Sequence, residues 1–450
     1  MRILNFSYSL YNLVLFAKIP EVVIKKFIKF IICSSDLQKK RFFWERLGIV
    51  SNVSVATNSG NWIWVHANAI GEVGACQHLL RLLRSKYPNQ RILLTTSNFS
   101  ADAMAFQLNI ADAVIFFPYD IPLIINKLLN VFKVVSVIIL ECDLRPNFVK
   151  VCKDRKISVF IISGIFNNNG CRSLGILHLY DYKFLLNDEV LGMVDYFFMQ
   201  TEDDKNRLSA ILPKRRNISV TGDLKLGSRR EKELFSSEKE YRKIFRISNE
   251  ELVFIAGSIH IEEFPEILDT FISIKQKFSS VVMIVAPRFL EDVGRFEFIL
   301  HQKDVNFYLR TQLSEHLSGD KDVIILNTLG ELSRVYALAD IAFVGGSLTY
   351  LGEAFGGHNI LEAAMAGVPV IFGPYMHNFR SLADLFLKRH AAIEVMNSAE
   401  LINVMNKLLS DKNQSQQMIA NANAILEEHK DVSSNTFLSL SEWIDDERNY

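Results

Sequence analysis

The strongest constraint on the fold is an alternation of short apolar runs with amphipathic runs, which begins near residue 61. In the first half, the apolar runs read WIWVHA, RILLTT, AVIFF, VVSVIIL and ISVFIIS. The amphipathic runs between them predict helices near 72–86, 100–109, 121–131 and 146–154. Alternating strands and helices are typical of a parallel sheet, and continuous apolar strands indicate that both of its faces are covered.

A second series of the same kind follows the segment VTGDLKLGS, with the strands LVFIAGS, VVMIVAP, DVIIL, IAFVGG and VPVIFG. Its predicted helices lie near 262–278, 330–338, 359–366, 398–428 and 433–444. The sequence therefore predicts an α/β protein with two Rossmann-like, doubly wound domains that face a cleft. We place the first domain at 51–225 and the second at 226–450.

The N-terminal segment, residues 1–50, carries nine Lys or Arg and three Asp or Glu, although the whole chain has a formal net charge of zero. Its lysines interrupt an apolar run that would otherwise suit a spanning helix, and no small-residue cleavage site follows. This pattern predicts a helical anchor lying in the interface of an anionic membrane. The alternative is a helix that covers an apolar patch of the chain's own body.

Composition excludes several other classes of function. A net charge of zero removes any global argument for nucleic-acid binding. The five cysteines form no CxxC pair and no zinc spacing, which indicates reduced core residues. The sequence also lacks GxGxxG after the first strand, GxxxxGK[ST] and HExxH, so dinucleotide, P-loop and zinc-protease sites are not expected.

Polar residues at strand exits are the candidate site, because ligands of open α/β sheets bind beyond the carboxyl ends of the strands. In the first half, Glu72 follows WIWVHA and Glu141 follows VVSVIIL. Glu72 should stabilise the N-terminus of its helix through the helix dipole, which would lower its pKa and keep it ionised. The same placement also suits a catalytic base.

In the second half, a glycine-rich loop ends at Gly357 and feeds a helix that begins near Asn359. Free N–H groups at such a helix terminus favour phosphate, and Glu362, one turn further on, could accept both hydroxyls of a ribose. An ordinary buried helix with a capping loop is the alternative. Arg288 could bind phosphate or carboxylate with two N–H groups, or could form a salt bridge.

Several stretches then match one family in order along the chain. They are YNLVLF, ERLG, VHANAIGEVGA, FFPYDIP, ECDLRPN, VTGDLKL, GSIH, VAPR, NTLGEL, ADIAFVGGS and GGHNILEAAMAGVPVIFGP. On these motifs the chain resembles the 3-deoxy-D-manno-octulosonic acid (Kdo) transferases of lipopolysaccharide biosynthesis. The resemblance covers about residues 11–380.

The resemblance implies a GT-B fold with an N-terminal membrane anchor on the cytoplasmic side of the inner membrane of a Gram-negative cell. It implies metal-independent, inverting transfer of Kdo from CMP-Kdo to a hydroxyl of the lipid A precursor, lipid IVA, without a cofactor. Glu72 would be the general base, and Glu141 and Lys225 would be functional. Contacts with CMP are implied for Pro287, Arg288, Leu329, Gly330, Glu331, Asn359, Ile360, Leu361 and Glu362.

The chain departs from the family pattern mainly in its first half. The family usually reads ETELWPN, where this chain has Cys142, Asp143 and Arg145 in place of Thr, Glu and Trp. Ile165 stands near the position of a family arginine, and Phe289 replaces a histidine. Three alternatives stay open: a GT-B transferase that uses a UDP- or GDP-sugar, a non-catalytic membrane scaffold, and a sugar-nucleotide epimerase of the same fold.

Overall fold

The structure is a computed structural model that describes residues 11, 12, 15, 37–50, 60–166, 188–213, 217–227, 238–313, 321–352 and 356–446. The chain divides into two compact units. Unit 1 comprises residues 1–229 and 429–450, and unit 2 comprises residues 230–428. Each unit is built around one parallel β-sheet.

The sheet of unit 1 has the order β3-β2-β1-β4-β5-β6-β7. Its strands are β1 Asn61–His66, β2 Gln90–Thr96, β3 Ala113–Phe116, β4 Val134–Leu140, β5 Ser158–Gly164, β6 Tyr196–Met199 and β7 Ile218–Val220. Its helices are α1 Leu37–Arg46, α2 Ile70–Lys86, α3 Phe99–Leu108, α4 Pro122–Phe132, α5 Pro146–Asp154, α6 Asp188–Gly192, α7 Glu202–Ile211 and, at the C-terminus, α16 Val432–Asp446. The strand order reverses between β1 and β4, which is where open α/β sheets place their ligands.

The sheet of unit 2 has the order β10-β11-β9-β8-β12-β13-β14. Its strands are β8 Leu252–Ile259, β9 Val281–Pro287, β10 Phe307–Leu309, β11 Val323–Ile325, β12 Ile341–Val344, β13 Val370–Phe372 and β14 Ala392–Glu394. Its α-helices are α8 Glu238–Phe245, α9 Phe264–Lys277, α10 Val293–Gln302, α11 Leu332–Val335, α12 Leu361–Met365, α13 Arg380–Lys388, α14 Ser398–Ser410 and α15 Lys412–Glu428. Three 3₁₀ turns, Leu290–Asp292, Arg310–Gln312 and Tyr336–Leu338, extend or connect them. The order reverses between β8 and β12.

Both faces of the first sheet are buried, as the continuous apolar strands predicted. Successive residues of a strand point to opposite faces. In β1, Trp62 and Trp64 belong to one hydrophobic cluster, whereas Ile63 and Val65 belong to the cluster on the other face. Strand β1 is therefore an interior strand covered on both faces, and the loop that follows it starts from a buried position.

The alternation of strands and helices predicted from the sequence is confirmed, with differences at short or broken elements. The strands β6, β7, β10 and β14, with three or four residues each, were not predicted. The single helix expected over 398–428 is two helices. Asp411 leaves the helical conformation between them, and its carboxylate accepts the N–H of Asn413 at 2.9 Å at the start of the second helix.

The C-terminal helix α16 belongs to unit 1, whereas the sequence placed it in the second domain. Val432, Leu440 and Ile444 of this helix are buried in the same cluster as Leu79 and Leu83 of α2. Polar contacts add to this packing, since Asp445 accepts a hydrogen bond from Tyr87 at 2.9 Å and pairs with Lys86 at 2.6 Å. The amphipathic pattern of α16 predicted a buried face, but it could not show which sheet that face covers.

The N-terminal segment is described only in part, and most of the predicted anchor lies outside the described residues. Tyr11 and Leu15 are buried, and the Tyr11 hydroxyl donates a hydrogen bond to Asp120 at 2.7 Å. Helix α1 is tied to unit 1 by Arg41, which pairs with Asp102 at 3.1 Å. Within the described part of the chain, no helix combines the length and the apolar character that crossing a membrane requires.

Candidate active site

The switch point of unit 1 brings the two predicted glutamates to the same edge of the sheet. Strands β1 and β4 pair in parallel, with His66 opposite Ile139. Their carboxyl ends therefore lie side by side. Glu72 enters from the first turn of α2, which follows β1 after three residues, and Glu141 is the first residue after β4.

Glu72 is held by the backbone just before its own helix. Its Oε2 accepts a hydrogen bond from the N–H of Asn68 at 2.8 Å, and the side chain is nearly buried, with 6% exposure. Within the described residues, Oε1 has no hydrogen-bond partner. One oxygen thus fixes the carboxylate, and the other is left for a further partner.

The pKa of Glu72 is raised well above its ordinary value. Burial is the main cause, and the charge of Glu141 adds to it, while Lys225 and the Asn68 N–H oppose it. The sequence-based expectation of a lowered pKa was wrong, because the cost of burying a charge outweighs the stabilisation by a helix dipole. A carboxylate with a raised pKa is a stronger base than an exposed one.

Lys225 joins this cluster through an ion pair with Oε1 of Glu141. Burial alone would lower the pKa of Lys225, but the charges of Glu141, Asp223 and Glu72 outweigh it and raise the pKa. The backbone around the lysine is fixed, since Asp223 Oδ1 accepts the N–H of Lys225 at 2.9 Å. The structure therefore brings the three predicted catalytic residues of unit 1 together, with the carboxylates of Glu72 and Glu141 beside the cation of Lys225.

Asp223 is a residue of this cluster to which the sequence analysis assigned no role. Its pKa is raised, mainly by burial, with Lys225 opposing and Glu141 reinforcing the shift. It also accepts a hydrogen bond from the Ser163 hydroxyl at 3.3 Å. The only sequence signal for it was its position two residues before Lys225 in VTGDLKL.

The loop that carries Glu141 is conformationally strained. Glu141 and Cys142 have φ angles of 58° and 76°, in the left-handed region that residues with a side chain rarely adopt. Each such residue costs on the order of 1–3 kcal/mol and persists only where the surroundings enforce it. Cys142 is fully buried, so packing of the loop against the core is one of these constraints.

Asp143, which stands where the family has glutamate, faces the protein interior. Its Oδ2 accepts hydrogen bonds from His66 at 3.1 Å and from Arg145 at 2.9 Å, and all three side chains are at least 95% buried. Burial alone would raise the pKa of Asp143, but Arg145 and His66 outweigh burial and lower the pKa. The two departures from the family pattern, Asp143 and Arg145, thus contact each other.

At the switch point of unit 2, a buried glutamate connects two loops through hydrogen bonds to their backbone N–H groups. Glu263 accepts the N–H groups of His260 at 3.0 Å, Gly346 at 2.5 Å, Leu348 at 3.3 Å and Ser347 at 3.4 Å. These groups follow β8 and β12, the two strands at which the order reverses. Burial raises the pKa of Glu263, and its four hydrogen bonds oppose the shift. Glu263 was not predicted from the sequence.

His260 and His358 meet at the same place. Their Nε2 atoms lie 3.0 Å apart, so one ring donates the shared proton and the other accepts it. Burial is the main cause of a lowered pKa in both rings, and the charge of Arg288 adds to it. The pKa of His358 falls to about 3. Both rings are therefore neutral near pH 7 beside a guanidinium.

The predicted donor-binding residues that follow β11 lie on a loop held by its own contacts. Glu331 accepts hydrogen bonds from Thr328 at 2.5 Å and from Arg310 at 3.1 Å. Gly330 has a φ of 80°, which favours glycine, and Leu329 is 83% exposed. The carboxylate of Glu331 thus fixes the loop, and the side chain of Leu329 is exposed on it.

The helix predicted near 359–366 is shorter than expected. Only Leu361–Met365 is helical, and the carboxamide oxygen of Asn359 accepts the N–H of Leu361 at 3.1 Å. Ile360 and Leu361 are buried, whereas Asn359 and Glu362 are half-buried. A helix of five residues has a weak dipole, so the argument for a phosphate site at this helix terminus loses force. Pro287 and Arg288 stand, as predicted, at the end of β9.

Comparison with known proteins matches two stretches of the chain to the profiles of protein families. Residues 41–228 match the profile of the family described as 3-deoxy-D-manno-octulosonic-acid transferase (kdotransferase). Residues 237–424 match that of glycosyl transferases group 1. The first part of the chain thus matches the Kdo transferases, and the second part matches a general glycosyltransferase family. The chain is a glycosyltransferase with two parallel-sheet α/β domains of the GT-B type.

Individual relatives agree with this assignment. A 3-deoxy-D-manno-octulosonic acid transferase of Aquifex aeolicus is 29% identical over 351 residues, covering 78% of this chain and 86% of the relative. A transferase of the same name from Chlamydophila psittaci is 25% identical over 390 residues and 86% of each chain. A bifunctional glycosyltransferase/methyltransferase of Fusobacterium nucleatum is 28% identical over 378 residues, which are 83% of this chain but only 56% of the relative.

Solved structures share the fold at lower identity. The UDP-GlcNAc 2-epimerase of Methanocaldococcus jannaschii matches with a TM-score of 0.56 and 15% identity, over 85% of this chain and 100% of the epimerase. The enzyme of the same name from Neisseria meningitidis gives 0.54 and 13%, over 84% and 100%. Sugar-nucleotide epimerases are one of the alternatives that the sequence left open, and at such identities the likeness shows the fold alone.

Proposed function

We propose that the chain transfers Kdo from CMP-Kdo to a hydroxyl of the lipid A precursor, lipid IVA, with inversion at the anomeric carbon. The observation that carries this proposal is the cluster of Glu72, Glu141 and Lys225 at the switch point of the first sheet. A buried carboxylate with a raised pKa beside a cation suits proton abstraction from a hydroxyl. Relatives named for Kdo transfer support the choice of donor.

In this mechanism, Glu72 is the general base. A sugar hydroxyl is a poor nucleophile near neutral pH, so its proton must leave as its oxygen attacks. Oε1 of Glu72 takes that proton. The new bond joins the acceptor oxygen to the anomeric carbon, the bond from that carbon to the phosphate oxygen breaks, and its electron pair leaves with CMP.

Lys225 and Glu141 set the charge around the base. The Lys225 cation stabilises ionised Glu72, whereas Glu141 destabilises it. Glu141 therefore raises the pKa of Glu72, which makes it a stronger base, and Lys225 lowers this pKa, which favours the ionised form. Direct contact of Lys225 with the leaving phosphate stays a prediction from the sequence.

Unit 2 is proposed to bind the donor. The leaving group is a phosphate monoester, which needs positive charge and N–H donors rather than a general acid. Arg288 supplies the charge, and Glu362 is proposed to accept the ribose hydroxyls. The loops 328–331 and 356–360 supply backbone groups. We expect no metal ion and no cofactor in the transfer.

Residues 1–50 are proposed to hold the enzyme on the cytoplasmic face of the inner membrane of a Gram-negative cell, beside its lipid acceptor. The net positive charge of this segment and its apolar composition support the proposal. Vesicle flotation with anionic and zwitterionic lipids would test it. Equal binding to both kinds of vesicle, or binding to neither, would contradict the proposal.

The activity is tested by incubating the full chain with CMP-Kdo and lipid IVA and measuring the lipid by mass spectrometry. We expect an increase by the mass of one or more Kdo units, and far less product in the same time with the Glu72→Gln variant. A parallel thermal-shift series with CMP, UDP and GDP tests the donor, because a ligand stabilises the protein that binds it. Stabilisation by UDP or GDP alone would favour a different transferase.

A further inference from the structure

The loop that carries Glu141 is connected to the core by a chain of buried polar groups. Asp143 Oδ2 accepts hydrogen bonds from His66 Nε2 at 3.1 Å and from Arg145 Nη2 at 2.9 Å. The other ring nitrogen of His66 lies 3.1 Å from the carbonyl oxygen and 3.0 Å from the hydroxyl of Thr95. This polar chain therefore links β2, β1 and the loop between β4 and α5.

The hydroxyl of Thr95 is itself fixed, which extends the chain into the sheet. It accepts a hydrogen bond from the Trp64 indole at 2.9 Å, and Trp64 is fully buried. The ring of Phe117 packs against His66 with centroids 4.2 Å apart and lies 5.6 Å from the Arg145 guanidinium. Both side chains that bond to Asp143 are thus buried in unit 1.

The carboxylate of Asp143 is bound into this polar chain. It is 3% exposed, and among the described residues its Oδ2 bonds to His66 and Arg145. Asp143 lies two residues after Glu141, and the strained residues Glu141 and Cys142 come immediately before it. Fixing Asp143 therefore fixes the end of the strained turn.

We propose that His66 and Arg145 act through Asp143 as positioning residues, holding the left-handed turn at Glu141–Cys142 so that Glu141 meets Lys225. This inference rests on the proposed function, in which Glu141 tunes Glu72. It assigns Asp143 a role in geometry rather than in proton transfer. It also explains why Asp143 and Arg145 occur together, since either charge buried without the other is strongly unfavourable.

The test is a double-mutant cycle between His66 and Glu141, measured as kcat, KM and the pH dependence of kcat. His66→Leu removes the donor to Asp143 but leaves the charge of Asp143 in place. We expect kcat per folded molecule to fall about 10-fold or more, because small misplacements at an active site are costly, while KM for CMP-Kdo stays within about twofold. His66→Gln keeps an N–H donor near Nε2 and should restore kcat to within about threefold.

The cycle separates positioning from direct electrostatics. If His66 acts through the turn, His66→Leu should lower kcat by no more than about twofold in the Glu141→Gln background. The acid limb of the kcat profile should move to lower pH in His66→Leu, as in Glu141→Gln, because Glu141 no longer raises the pKa of Glu72. The groups that face Glu72 in this comparison are Glu141, Lys225 and Asp143.

Controls make each outcome decisive. Asp154→Asn changes an exposed carboxylate on the helix that follows the same loop, and should leave kcat and its pH profile unchanged. If His66→Leu does not fold, as judged by circular dichroism, Arg145→Lys tests the same connection with its charge retained. Additive losses in the cycle, or a wild-type acid limb in the single variant, would overturn the inference. Absence of product with the wild-type chain would instead overturn the proposed function.

Discussion

Lys225 forms an ion pair with Glu141 at the carboxyl edge of the first sheet, and both charges act on Glu72, the residue proposed as the base. The two partners shift the pKa of Glu72 in opposite directions. Their pairing therefore links the position of one loop, after β4, to the protonation of a side chain on the helix after β1.

The first prediction concerns the acid limb of the kcat–pH profile, which should report the ionisation of Glu72. Glu141→Gln removes a charge that raises the pKa of Glu72, so the limb should move to lower pH. Lys225→Met removes a charge that lowers this pKa, so the limb should move to higher pH. Shifts of the two variants in the same direction would be inconsistent with Glu72 as the titrating group.

The second prediction concerns CMP binding by unit 2. Glu362→Ala should weaken the affinity for CMP by about tenfold or more, because a hydrogen bond to a charged group contributes roughly 1.5–3 kcal/mol. Isothermal titration calorimetry of the full chain measures it. Glu266→Ala, at an exposed position of α9, is the matched control and should bind CMP normally. An unchanged affinity of Glu362→Ala would remove this residue from the nucleotide site.

The third prediction concerns stability in acid. The pKa of His358 is about 3 in the folded protein, against about 6.5 for an ordinary histidine. Between these values the unfolded chain binds more protons, so the contribution of His358 to stability is lost as the pH falls from about 6.5 to 3. His358→Gln should therefore lose less stability than the wild type on acidification.

Thermal unfolding between pH 4.5 and 7.5 measures this difference. His301→Gln, on the exposed face of α10, serves as the control and should follow the wild type. Equal acid sensitivity of His358→Gln and the wild type would show that His358 is not held neutral in the folded protein.

The fourth prediction concerns packing beside the second switch point. A Cβ at Gly257 would lie 1.9 Å from the hydroxyl oxygen of the buried Tyr336, so β8 has no room for a side chain there. Gly257→Ala should destabilise unit 2 by about 1–3 kcal/mol through overpacking. Gly192→Ala, where a Cβ meets nothing within 4 Å, should be nearly neutral in the same denaturant titration. Similar midpoints for the two variants would contradict the steric argument.

Much of the fold was predictable because apolar strands and amphipathic helices have distinct periods. The carboxyl edge of the first sheet was predictable for the same reason, since strand exits alone placed Glu72 and Glu141 in one region. The location of α16 was not predictable, because its apolar face fits either sheet equally well by pattern. Strands β6, β7, β10 and β14 were not predicted either.

The finer features of the site depended on burial, which a sequence does not display. The raised pKa of Glu72 arises from desolvation by the surrounding unit, whereas local sequence suggested only the opposing helix dipole. Glu263 accepts hydrogen bonds from four backbone N–H groups, and three of these lie more than 80 positions away along the chain. No local sequence motif could therefore predict its role. In the sequence, Asp143 and Arg145 are two separate departures from a family pattern. The structure shows that their side chains form an ion pair, which explains why the two replacements occur together.

The central claim is that Glu72 removes the proton from the acceptor hydroxyl, and Glu72→Gln tests it most directly. The amide keeps an oxygen for the Asn68 N–H but cannot act as a base at neutral pH. Single-turnover transfer of Kdo from CMP-Kdo to lipid IVA should fall by roughly 10²-fold or more, while CMP affinity and thermal stability stay near the wild-type values. Transfer at the wild-type rate by the folded variant would contradict the account.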